Sequence, residues 1–363
     1  MALEARSHLR NIQPCAHGSF SYRESAERGI PREEVLDFSA NCNPLGPAPG
    51  VLAALRHLQL ARYPDNEAVE LRGALARSMG LDPGWIIAGN GSVELMWLLA
   101  TAYLETGDHA LVSGPTFGEY ARACQVAGAT VETVLASEKG RFQPDLAGLI
   151  HRIDALRPKL AFLCNPNNPT GQLLPAQAIG QLLEACEDTL LVVDEAYLPF
   201  CQSSPDLVPY LSTGKLLLLR SMTKDHALAG LRLGYAVARP DVIEWLDRVR
   251  PPWNVNAAAQ AAGIAALRER RYLEESRRVV EEGRRYLTDQ LSKLGLRAVP
   301  STANFLLVRV GRGASFRAML LERGICVRDC TSFGLPAYIR IGIRTLPDCQ
   351  RLVEVVQELL QNG

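Results

Sequence analysis

Between residues 85 and 250 the sequence alternates between two textures, and that alternation sets the fold class. Apolar, often β-branched runs stand at 85–88, 109–113, 130–134, 159–164, 190–194, 215–220 and 233–238. Amphipathic stretches of helical period fill most of the gaps, at 92–104, 117–127, 174–187 and 240–249. Continuous apolar runs are strands buried on both faces, and strands alternating with helices make a mostly parallel sheet between helical layers. The chain therefore reads as α/β, with a seven-stranded, mostly parallel sheet flanked by helices.

The flanks divide the rest. The first fifty residues show no clear period and end in NCNPLGPAPG (41–50), whose prolines and glycines exclude a helix there. They read as an N-terminal arm and substrate loop, 1–50. Helical periodicity follows at 51–61 and 67–79, and the large domain spans 51–255. After PPW (251–253) comes long helical material over 256–293, then short strands near 296–299, 304–310, 325–328 and 337–343 and helices near 313–323 and 346–361. Residues 256–363 thus read as a connecting helix and a smaller α+β C-terminal domain.

Composition removes several function classes. Lys+Arg and Asp+Glu number 39 each, so no net charge draws the chain to nucleic acid or anionic membrane. No apolar run approaches the roughly 18–20 residues of a membrane span. The N-terminus lacks the apolar core of a secretory signal, so the cytoplasm is the default. Nine scattered cysteines with no CxxC pair read as small buried hydrophobes rather than disulfides or a metal site.

Four motifs carry chemistry, each after an apolar run. GNGSVE (89–94) puts glycines at a strand–helix junction, where backbone N–H groups can approach an anion. Glu94 stands where a dinucleotide fingerprint has its third glycine, so that reading fails. NPNNPTG (165–171) forces a turn at the carboxyl end of a strand, the edge where ligands sit in open α/β sheets. LLVVDEAY (190–197) ends an apolar strand in Asp194, a carboxylate that needs a cationic partner. SMTKDHALAGLRLGY (221–235) places Lys224 among small and hydroxyl residues, with Arg232 eight positions on. Together they supply a phosphate cradle, an Asn and a Tyr for a ring hydroxyl, an Asp for a ring N–H⁺ and a nucleophilic lysine. Pyridoxal 5′-phosphate is the ligand with those needs.

The ordered set GNGS, NPTG, DEAY and SMTK-x₇-R resembles the fold-type I pyridoxal-phosphate enzymes of the class I/II aminotransferase superfamily, over about 36–361. The resemblance implies that Lys224 holds the cofactor covalently and that Asp194 pairs with the pyridine nitrogen. It assigns Asn168 and Tyr197 to the ring hydroxyl, and Ser221, Arg232 and the backbone at Gly91 and Ser92 to the phosphate. Phe117 matches the aromatic that stacks on the ring. Tyr63 matches a tyrosine that reaches the phosphate of a neighbouring subunit, which implies a homodimer with the site at its interface.

Two branches share this core. The segment HGSFSYRESAERGIPREEVLDFSANCNPLGP (17–47) is similar to the opening of L-threonine-O-3-phosphate decarboxylases of cobalamin biosynthesis, although Ser19 replaces a glycine. On that resemblance the expected reaction is decarboxylation of threonine phosphate to (R)-1-amino-2-propanol phosphate. Histidinol-phosphate-type aminotransfer with 2-oxoglutarate is the alternative. His17, Asn43, Arg328 and Arg340 are the expected substrate contacts, the two arginines because guanidinium forks suit phosphate and carboxylate. A non-catalytic binding or regulatory protein of the same fold is disfavoured by the intact Lys224, Asp194 and Arg232.

Overall fold

Each strand of the large sheet sends alternate side chains to opposite faces, and in all but the edge strand Thr130–Leu135 both faces are largely buried. The computed structural model describes residues 3–16, 18 and 20–361. The strands are β1 (Ile86–Asn90), β2 (His109–Gly114), β3 (Thr130–Leu135), β4 (Leu160–Cys164), β5 (Leu190–Asp194), β6 (Leu216–Ser221) and β7 (Leu233–Ala238). In β6, Leu216 and Leu218 join one core cluster while Leu217 and Leu219 join the other. That two-sided burial is the reason the strand reads as an unbroken apolar run. Helices Gly91–Tyr103, Glu119–Ala127 and Pro240–Val249 cover one face. Helices Val69–Met79, Leu146–Leu156, Ala176–Ala185 and Ala257–Ala266 cover the other.

The strand order is β1-β7-β6-β5-β4-β2-β3. Strands β2 to β6 are parallel, and β7 is antiparallel to both β1 and β6. The winding reverses between β2 and β4, which opens a crevice at the carboxyl edge. The ends of β1, β2, β4, β5 and β6 therefore converge there, together with the start of β7.

A second sheet, β8 (Arg297–Ala298), β9 (Phe305–Arg309), β10 (Arg328–Asp329) and β11 (Tyr338–Gly342), is antiparallel in the order β10-β11-β9-β8. Helices Arg270–Lys293 and Leu346–Gln361 pack on it through Leu287, Leu291, Leu352 and Val356.

Several features differ from the sequence reading, and helix Pro49–Leu55 begins within the proline-rich run. Residues 256–293 form two helices, Ala257–Ala266 and Arg270–Lys293, rather than one. Residues 146–156, left unassigned, form a helix that Asp145 caps by accepting from the Gly148 N–H. The first fifty residues are not simply an arm. Leu36–Asp37 pairs in parallel with Ile325–Cys326, and helix Tyr22–Arg28 is tied to helix Gly313–Leu321 by both nitrogens of Arg317 on Glu24 at 2.7 Å. Phe38 is fully buried in the small core. Elements of two to seven residues, stabilised by partners near the other end of the chain, leave no local period.

All nine cysteines are free thiols, seven of them buried. Among the described residues no group of His, Cys, Asp and Glu could hold a metal ion, and no helix is long and apolar enough to cross a membrane.

Candidate active site

The converging strand ends open into a cavity of about 760 Å³, lined from three parts of the chain. The large sheet contributes Ser92, Phe117, Asn168, Asp194, Tyr197, Ser221, Lys224 and Arg232. Arg328 and Arg340 enter from the small sheet, and Cys15, Ala16 and Gly18 close a side.

Asp194 ends β5 in a dry site, 4% exposed. Its Oδ2 accepts from the Tyr120 hydroxyl at 2.7 Å and its Oδ1 from the Ala196 N–H at 2.9 Å. Burial raises its pKa; the Tyr120 and Ala196 hydrogen bonds and the charge of Lys224 oppose the rise. No cation forms an ion pair with it among the described residues, so the carboxylate is fixed in place but not neutralised. Tyr120 stacks on Phe162 at 5.2 Å, which locks its hydroxyl on target.

Lys224 lies in the turn after β6. Its carbonyl accepts from the Asn43 N–H at 2.8 Å, while its ammonium makes no hydrogen bond or ion pair among the described residues. Ser221 and Thr223 share a hydrogen bond at 2.7 Å beside it. Gly91 has φ +77°, and a Cβ there would lie 2.5 Å from Arg232 Nη2. Only a residue without a side chain lets the guanidinium lie against the start of helix Gly91–Tyr103. Hydroxyls, backbone N–H groups and a guanidinium thus gather at one end of the cavity, a donor set suited to phosphate. A fixed, uncompensated carboxylate faces a free lysine at its floor. These groups fit pyridoxal phosphate.

The loop after β4 shares out its asparagines. Asn165 bonds to Leu174 in both directions, and Asn167 bonds to Pro115 O and Thr170. Asn168 is left to face the cavity, where its Oδ1 accepts from Arg340 Nη1. Arg340 also donates to Ser39 O at 2.8 Å, and its buried Nε has no partner among the described residues. Arg328 stands directly across from Arg340 in the β10–β11 ladder. Burial, and then the Arg340 charge, hold the Arg328 guanidinium below its usual range. Like charges opposite one another on a sheet repel unless an anion joins them.

Some expected residues stand elsewhere. Asn43 does not line the cavity: its amide donates to Asp225 O and Ser276 Oγ, both at 2.7 Å, and its Oδ1 accepts from Leu45 N. It ties the proline-rich loop to the lysine turn, and Asn41, two residues earlier, reaches Tyr197 in the cavity instead. Tyr63 is exposed and stacks on Trp253 at 4.6 Å, away from the cavity. His17 lies outside the described residues. Sequence reasoning missed Tyr120, whose one signal was its place three residues after Phe117 in GPTFGEY.

The chain matches the aminotransferase class I and II family over residues 33–356. A histidinol-phosphate aminotransferase of Symbiobacterium thermophilum is 38% identical over 364 residues, 99% of each chain. The structure of a histidinol-phosphate aminotransferase of Sinorhizobium meliloti in complex with pyridoxal-5′-phosphate superposes with a TM-score of 0.85 at 27% identity, covering 95% of this chain and 96% of that one. An L-threonine-O-3-phosphate decarboxylase of Porphyromonas gingivalis superposes at 0.80 with 26% identity, covering 90% of this chain and all of the other.

These likenesses overturn the decarboxylase reading, because the stronger, full-length sequence likeness is to a histidinol-phosphate aminotransferase. The structure shows why residues 17–47 misled. Much of that segment builds the small body: Phe20 and Phe38 are core, Glu24 ties down a helix, and Asn43 anchors a loop. It reports on packing more than on the substrate. The cofactor is pyridoxal 5′-phosphate, and the chain belongs to the class I and II aminotransferase family.

Proposed function

We propose that this chain is an aminotransferase of the histidinol-phosphate type, passing an amino group from a phosphorylated amino alcohol to 2-oxoglutarate. The full-length likeness to a histidinol-phosphate aminotransferase carries the choice. The facing arginines of the small sheet agree with a phosphorylated substrate.

When bound, pyridoxal phosphate supplies an electron sink for charge left on the substrate's α-carbon. Ser221, Arg232 and the backbone at Gly91 and Ser92 would hold its phosphate, and Phe117 would pack against its ring. Asp194, pinned by Tyr120 and Ala196 N, keeps the proton on the ring nitrogen. Asn168 and Tyr197 hold the ring hydroxyl. Arg340 and Arg328 grip the substrate's phosphate and so fix which bond at the α-carbon faces the sink. Lys224 would take up at Nζ the proton released from the substrate's α-carbon and hold it for return. A second copy of the chain would bring its Tyr63 to the phosphate end, and that tyrosine is exposed for the purpose.

The test is a coupled assay with histidinol phosphate and 2-oxoglutarate. Glutamate should form with a stoichiometry of one per substrate consumed. Absence of glutamate with active, cofactor-loaded protein would overturn the proposal.

A further inference from the structure

The outer wall of the cavity differs from its floor. Trp97, on helix Gly91–Tyr103, and Glu119 and Arg122, on helix Glu119–Ala127, line it. Glu119 is 2% exposed, and accepts from Trp97 Nε1 at 3.3 Å and Arg122 Nη1 at 3.2 Å. The Arg122 guanidinium lies 5.5 Å from the Trp97 ring centre, and its buried Nε has no hydrogen-bond partner among the described residues. Glu119 follows the cavity residue Phe117 by two positions, and Tyr120, next along, holds Asp194. The wall is therefore rigidly registered to the reaction centre.

A carboxylate and a guanidinium on one wall make a costly surface. Taking the Glu119 carboxylate out of water offsets much of its attraction to the half-buried Arg122, and apolar residues would pack there at least as stably. The pair is better explained by what the cavity must admit. An aminotransferase receives two substrates in turn, and these two differ at their far ends. One carries a nitrogen heterocycle with an N–H to donate; the other carries a carboxylate. A buried carboxylate takes the first and a guanidinium fork takes the second.

We propose that Glu119 and Arg122 are the specificity pair of this enzyme. Glu119 accepts from the ring N–H of the phosphorylated heteroaromatic amine, and Arg122 binds the distal carboxylate of glutamate or 2-oxoglutarate. Arg340 and Arg328 hold the phosphate of one substrate and the α-carboxylate of the other. This rests on the aminotransferase reading above and adds to it the groups that tell the two substrates apart.

Binding of unreactive analogues tests it on the holoenzyme. Imidazolylpropyl phosphate lacks the amino group of histidinol phosphate, and glutarate lacks that of glutamate. Calorimetry should show Glu119→Gln and Glu119→Ala lowering the affinity ratio of the first over the second by about tenfold or more, and Arg122→Gln raising it by a similar factor. The ratio of kcat/KM for the two half-reactions should move the same way. Near-ultraviolet circular dichroism of the bound cofactor reports whether each variant is folded. Ratios that stay within twofold in all variants overturn the inference, provided the wild type accepts histidinol phosphate. A wild type inert toward histidinol phosphate strikes the functional reading itself and takes the Glu119 assignment with it.

Discussion

Arg340 and Asn168 are joined by a hydrogen bond from guanidinium Nη1 to amide Oδ1, between residues 172 positions apart. The bond ties the small sheet to the loop after β4. With Nη2 on Ser39 O, the guanidinium is held at both ends while Nε stays unsatisfied. An anion taken by Arg340 is thereby registered against the loop that faces the cofactor.

Arg340→Lys keeps the charge but cannot make both bonds at once. We expect KM for the phosphorylated substrate to rise tenfold or more, in line with roughly 1.5–3 kcal/mol for a charged hydrogen bond. The value of kcat should change less. Steady-state kinetics decide it, and a KM within twofold of wild type would refute the role.

Lys224→Ala should abolish turnover while the protein still folds and binds pyridoxal phosphate through the phosphate cradle. Borohydride should fix the cofactor to the wild type and not to the variant. Mass spectrometry placing the reduced product on another lysine would sink the assignment.

Asp194→Asn separates stability from activity. The folded-state pKa of Asp194 is raised by burial, so its ionised form costs the cofactor-free protein stability above that value. The cost disappears as pH falls and the carboxyl is protonated. The cofactor-free variant should therefore be more stable than wild type by about 1–2 kcal/mol at pH 8, with the gap narrowing toward acid. Its activity at saturating cofactor should fall at least a hundredfold, because a neutral amide cannot keep the ring nitrogen protonated. Denaturant melts at several pH values, with rates alongside, check both halves.

Gly91→Ala must place a side chain at φ +77° and displace the Arg232 guanidinium from its position. Titration with pyridoxal phosphate should show affinity reduced about tenfold, with a fold destabilised by roughly 1–2 kcal/mol. Unchanged affinity would mean that Arg232 does not need its place against the helix start.

Glu24→Gln tests the clamp between the N-terminal helix and the small body. The Arg317 hydrogen bonds hold the Glu24 carboxyl below its ordinary value of 4.5. A depressed folded-state pKa stabilises above the unfolded value and loses that contribution as pH falls through the folded one. The variant should be about 1 kcal/mol less stable at pH 7, given the partial exposure of both side chains. The two proteins should converge as pH falls through the lowered folded-state pKa of Glu24. A difference that persists in acid would point to packing rather than charge.

The large sheet was legible because its central strands state their own burial, as Leu216 to Leu219 do. The cavity floor was legible because Asp194, Ser221 and Lys224 end or follow such strands. What failed was contact between distant segments. Nothing local distinguishes Asn41, which reaches Tyr197, from Asn43, which is spent on Asp225 and Ser276. The run 325–328 looks like one strand, yet Ile325–Cys326 pairs with Leu36–Asp37 while Arg328–Asp329 joins β11. Its division is set by partners, and no pattern within the run records them.

The parallel pairing of Leu36–Asp37 with Ile325–Cys326 has a consequence for biosynthesis. The first of these strands leaves the ribosome long before the second. At about 5–20 residues per second the wait is on the order of tens of seconds. During that time Phe20 and Phe38, both buried in the finished protein, have no core to enter. The large sheet can assemble as it emerges, but the small body closes only once Ile325–Cys326 has emerged as well. Its N-terminal part is thus the stretch of this chain most open to chaperones.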